Sequence, residues 1–362
     1  MQLPKRAFLL AIAAASLATF IWNAALGQAR SSRQITPQLA GAGTEGPTEI
    51  WCSSLALYLR IIQRPGSAED ATDALLALIQ QTRNALIAFD LNKTTPKDHQ
   101  TIVDDEIVAL EQFVTDHPAS AWSPSILAGL AHHYRWRGAY TRALKYWNEV
   151  WNETRGLSDP GGKAVADFTI SHWTRLLASL GRVDDLEPLF ASIRDRVLDQ
   201  GELSQRLART REAVAGMRSR PGRAFKCGAY ALNNASRTLT GENVQAVLER
   251  ESPATGFTVD QLQSLSDTFA LGFQAVYREP GTGIIVPSVV HWKQEHYAAI
   301  IGVEDGLFKV MDPTFEGELL MTEEQLNEEA SGIFLIPAGP MPPGWRFLTV
   351  GERQSTRGRG YP

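Results

Sequence analysis

The apolar period of the chain changes once, and that change limits the fold more than any other feature. From about Thr48 to Met217, apolar residues recur three and four apart, the spacing of a helix with one buried face. After Gly281-Thr282-Gly283 the period falls to two, and IIVPSVVHW, HYAAIIGV, LFKVM and GIFLIP read as strands. Between these regions lie a helical run from Cys227, then ENVQAVLER, then TVDQLQSLSDTFALGF. The last opens on Thr258 with Gln261 three residues on, the signature of a capping box. Helices followed by strands in so short a stretch make an α+β domain. The sequence therefore predicts a multi-domain chain: an N-terminal all-α, repeat-like domain over 47–217 and a C-terminal α+β domain over 220–337.

Within the first domain, SAEDATDALLALIQQTRNALIAF begins with a Ser-x-x-Asp cap candidate, and TIVDDEIVALEQFVTDHP stops at Pro118. SPSILAGLAHHYRWRGAYTRALKYWNEVW then carries Leu130, Tyr134, Gly138, Tyr140, Ala143, Trp147 and Val150. This resembles a tetratricopeptide repeat, two helices around a tight glycine turn. A weaker copy turns at Gly181, and the insertion GLSDPGGK lengthens the spacing between the two. A plain helical bundle is the alternative. His132 and His133 are neighbours on one helix, point in different directions, and read as structural, as does Cys52 in IWCSSLALYL. Trp122, Trp136, Trp147 and Trp151 read first as packing residues and second as a groove for a protein partner.

The ends differ from the middle. Lys5 and Arg6 precede an apolar run that closes on Ala25 and Gly27, so residues 1–27 read as a secretory signal peptide or, uncleaved, as a membrane anchor. Either way the bulk of the protein is expected outside the cytoplasm. Residues 28–46 read as a linker, and 338–362, rich in Pro, Gly and Arg, as a mobile extension. A net charge of −5 argues against nucleic acid as the main partner. No G-x-x-x-x-G-K-[ST] loop is present for ATP, and no cofactor or metal is expected. Two cysteines are too few for a disulfide framework; they read as one bridge or as two free thiols.

Cys227 stands at the head of a helix, behind the basic loop PGRAFK and before Gly228. Unpaired first-turn amides favour a thiolate there, and a thiolate is the nucleophilic form. Such a nucleophile needs a base, and the base needs an orienting group. His296 opens the strand HYAAII, and the return strand LFKVM ends at Asp312. With a three-residue turn at Glu304-Asp305-Gly306, Asp312 faces Ala298, so His296 and Asp312 share a face. A two-residue turn puts them on opposite faces.

The ordered pieces are Cys-Gly at a helix head, the TVDQLQSLSDTFALGF helix, a strand ending in His-Trp, EHYAAIIG, a strand ending in Met-Asp-Pro, and GIFLI. Together they resemble the bacteriocin-processing, double-glycine leader peptidases, which are papain-like cysteine peptidases. The resemblance implies Cys227 as nucleophile, His296 as general base, Asp312 as orienter, a peptide substrate, and cleavage after small residues. It also implies a non-catalytic role for His291. Members carry a glutamine shortly before the cysteine that helps hold the oxyanion, and none stands in REAVAGMRSRPGRAFK. Arg223 and Lys226 are the candidate replacements. Three functions stay open: a cysteine peptidase, a retired relative that binds peptides, and a helical-repeat adaptor.

Overall fold

A computed structural model describes residues 47–63, 71–92, 96–198, 201–312 and 318–361. The expected signal segment, the linker and the Ser67 cap lie outside these residues. The described chain opens on a hairpin, β1 (Glu49–Cys52) and β2 (Leu57–Arg60). Here the sequence reading of helix from Thr48 is corrected. Ile50 and Cys52 are buried while Trp51 between them is exposed, which is a period of two.

Among the described residues seven helices follow: Thr72–Asn92, Pro96–Asp116, Ser123–Trp136, Tyr140–Thr154, Pro160–Ser179, Val183–Ser192 and Glu202–Ser219. Ser123–Trp136 and Tyr140–Thr154 pack together across a turn at Gly138, whose φ of +76° favours glycine. Gly181 serves the same purpose before Val183–Ser192, with φ +67°. Trp122, Trp147 and Trp151 are core residues, and Trp136 is exposed. His132 packs among Trp136, Phe168 and His172 rather than pairing with His133. No helix among the described residues is long and apolar enough to cross a membrane.

The second half begins with the short helix Pro221–Ala224 and the helix Cys227–Thr240. After β3 (Phe257–Thr258), the helix Val259–Thr268 starts in the expected capping box of Thr258 and Gln261. The strands β4 (Phe273–Arg278), β5 (Ser288–Trp292), β6 (His296–Glu304), β7 (Leu307–Met311), β8 (Glu318–Met321), β9 (Ala330–Pro337) and β10 (Trp345–Phe347) form one sheet. Its order is β10-β4-β9-β5-β6-β7-β8, and every neighbouring pair is antiparallel. Val290, Ala298, Ile300 and Phe334 join the core of the helical half, while Val289, Tyr297, Ala299 and Leu335 join that of the helix Cys227–Thr240. Alternate residues of one sheet thus serve both halves, and Thr48–Pro362 is one compact unit.

The segment 338–361 is not a mobile extension. It supplies β10, with Trp345 buried, then Leu348 in the core, the helix Val350–Ser355, and β11 (Arg357–Gly358), which pairs with β3. Its glycines and arginines suggest solvent; Gly358 and Gly360 instead lie closely against the rings of Tyr297 and His296.

Candidate active site

The turn between β6 and β7 is the shorter of the two that the sequence allows. Glu304 pairs directly with Leu307, leaving a two-residue turn in which Asp305 and Gly306 both have positive φ. That register alone would put His296 and Asp312 on opposite faces. A bulge intervenes: Gly302 pairs with Lys309 but Ile300 with Val310, so Ile301 is the extra residue. Beyond it Ala299 pairs with Met311, and Asp312 comes opposite Ala298. The shared face expected from the sequence is reached by a different route.

The structure brings the three predicted side chains to one place. His296 Nε2 and Asp312 Oδ1 are 2.8 Å apart, and both residues are buried. Cys227 stands at the first position of its helix, also buried. Cys227 Cβ and His296 Nδ1 flank the same point on the backbone at Gly360. Burial by itself pushes the imidazole towards its neutral form. The charges of Asp312 and Cys227 outweigh this and raise its pKa to about 10. His296 Nδ1, the ring nitrogen not engaged by Asp312, is buried on the side of Gly360 and Cys227.

The second oxygen of Asp312 is held by a residue that no local pattern singles out. Tyr140 Oη donates to Asp312 Oδ2 at 3.1 Å, across 172 positions of chain. Burial and the nearby carboxylate keep this phenol protonated, and hence a donor. Thr141 beside it donates from its amide and hydroxyl to Glu329. Tyr140 had been read only as a repeat-packing residue, and nothing local distinguishes the two roles.

His291 is buried, which lowers its pKa to about 4 and keeps it neutral. Its Nε2–H donates to the Arg357 carbonyl at 2.8 Å, and its Nδ1 meets Ser331 Oγ. Lys226 Nζ donates to the Leu248 carbonyl rather than towards the sulfur, so it is not placed to replace the oxyanion glutamine. Arg223 is exposed. Cys52 and Cys227 are both free thiols; Cys52 lies 3.7 Å from Glu106 Oε2. Among the described residues no group of acidic, histidine or cysteine side chains is arranged to hold a metal ion.

None of the curated proteins matches the chain. A solved structure, that of a double glycine motif protease from an AMS/PCAT transporter in complex with the leader peptide, aligns at 23% identity and a TM-score of 0.22. The alignment covers 32% of this chain and 86% of that one. Residues 223–340 match the model of the Peptidase C39 family, and it is this part of the chain that is similar to that family.

Proposed function

We propose that the protein hydrolyses a peptide bond with Cys227 as nucleophile, His296 as general base and Asp312 as orienter. The observation that carries this is the buried His296–Asp312 pair, hydrogen-bonded at 2.8 Å beside a thiol at a helix head. With Nε2 engaged by Asp312, the remaining ring nitrogen, Nδ1, is the atom free to take the thiol proton. The sulfur then attacks the carbonyl carbon and the bond to the leaving amine breaks. His296 returns the proton to that amine, and a thioester is left on Cys227. Water attacks the thioester carbon, passing a proton through His296 back to the departing sulfur. The first-turn amide of Cys227 supplies one oxyanion donor.

The resemblance to leader peptidases supports cleavage after small residues. The 1–27 pattern supports action outside the cytoplasm. The glycine-turned hairpins support a tetratricopeptide-like scaffold that props Asp312 through Tyr140. A retired, peptide-binding relative is the second reading, favoured by the missing glutamine and by Lys226 facing Leu248. The test uses purified protein and peptides carrying Gly or Ala before the scissile bond. Cys227→Ala and His296→Ala are expected to abolish cleavage, and Asp312→Asn to slow it strongly with the fold retained. Peptides bound by the wild type but never cut would establish the retired reading instead.

A further inference from the structure

Segment 356–361 crosses the site, and its backbone is held at every step. The Thr356 carbonyl accepts from the Val259 amide at 3.0 Å. Arg357 and Gly358 pair with Thr258 and Phe257 as a short antiparallel ladder. The Arg357 carbonyl also receives His291 Nε2–H. The Arg359 amide donates to the Glu295 carbonyl at 2.9 Å, next to His296 in sequence. The Gly360 amide donates to Cys227 Sγ at 3.1 Å. The Tyr361 amide then donates to the Ser179 carbonyl of the helical half at 2.7 Å.

Glycine is required along this path. A Cβ on Gly358 would stand 2.5 Å from the Tyr297 ring. One on Gly360 would stand 1.8 Å from His296 Nδ1 and 2.9 Å from Cys227 Cβ. The walls are glycine too: a Cβ on Gly256 would meet the Gly358 carbonyl at 2.0 Å, and one on Gly181 the Arg359 carbonyl at 1.9 Å.

We propose that segment 356–361 is an intramolecular occupant of the substrate groove, which takes an extended peptide with unsubstituted α-carbons at alternate positions, and that the protein thereby holds its own nucleophile closed. The proposal rests on the peptidase reading of the site for the word substrate, but not for the closure. One observation favours closure over self-cleavage. The Gly360 N–H points at the sulfur, so the sulfur lies near the plane of the Arg359–Gly360 peptide. Attack on a carbonyl needs approach from above that plane.

The test reads the thiol, not turnover. Full-length wild type, Gly360→Ala, Gly358→Val and, as a control, Gly351→Ala are treated with iodoacetamide, and modification of Cys227 is followed by peptide mass mapping. Gly351 has open space around its α-carbon and should behave as wild type. Because labelling scales with the open population, Gly360→Ala and Gly358→Val should each label at least about tenfold faster than wild type. A synthetic Thr-Arg-Gly-Arg-Gly-Tyr peptide added in excess should slow them again. Wild-type labelling as fast as that of the unfolded protein overturns the proposal, as do folded variants that label no faster than wild type. Should either variant fail to fold, hydrogen exchange on the wild type decides. The amides of Arg359, Gly360 and Tyr361 should be protected like those of β6, and rapid exchange there refutes closure. Wild type cut between Arg359 and Gly360 would make the segment a substrate and overturn the inhibitory geometry. Variants that label rapidly yet cut no peptide would leave closure standing and defeat the peptidase reading.

Discussion

Tyr140→Phe removes one oxygen and tests whether the helical half steadies the site. The ring is fully buried and its hydroxyl donates to a buried carboxylate oxygen at 3.1 Å. A hydrogen bond to a charged group contributes about 1.5–3 kcal/mol, against about 0.5–1.5 kcal/mol for a neutral pair. The ring stays in place, so the packing term is small and the loss reports the bond. Asp312 keeps His296 on its other oxygen, which confines the damage to one lone pair. The expected loss of unfolding free energy is therefore about 2 kcal/mol. The assay is denaturant unfolding of wild type, Tyr140→Phe, Asp312→Asn and the double variant. In the Asp312→Asn background the tyrosine change should cost only about half as much, giving a coupling of about 1 kcal/mol. Equal losses in both backgrounds, within about 0.3–0.5 kcal/mol, would show that the hydroxyl acts elsewhere and refute the reasoning.

The imidazole gives a pH prediction. Its pKa is raised from about 6.5 to about 10 on folding. Its stabilising contribution is thus complete below about pH 6.5 and is lost as pH rises through about 10. Thermal midpoints should fall across that window, and Asp312→Asn should flatten the fall; a midpoint flat from pH 6.5 to 10 in wild type counts against the pairing. The other thiol is expected to stay inert. Burial first, and the nearby Glu106 second, push Cys52 up to about 12, so it should resist alkylation at pH 8 until the protein unfolds; prompt native labelling of Cys52 would contradict its placement.

What could be read beforehand divides by range. Cys227 at a helix head, Thr258 with its capping box, and the strands that carry His296 and lead into Asp312 were legible, because each depends on a few neighbouring residues. The hairpin around Cys52 was missed because IWCSSLALYL is apolar enough to fit either period. Of the two turn lengths the sequence left open, the shorter is the one used at Asp305-Gly306, and only the bulge at Ile301 gives the shared face. Segment 338–361 was misjudged because composition reports what glycine allows, not what lies beside it. Tyr140 could not have been found, since its partner is set by how two halves of the chain pack rather than by any local pattern.

The bulge makes the β6–β7 hairpin a matter of parity. With the two-residue turn and the bulge both kept, one residue gained elsewhere between His296 and Asp312 puts the carboxylate on the other side of the sheet. Loss of Ile301 itself is different: the bulge goes with its extra residue, and the aspartate stays opposite Ala298. A hairpin one residue shorter can therefore keep the His–Asp contact by having no bulge, while one of the same length but without the bulge cannot. Turn length and bulge, not the residue count alone, decide on which face the two side chains meet.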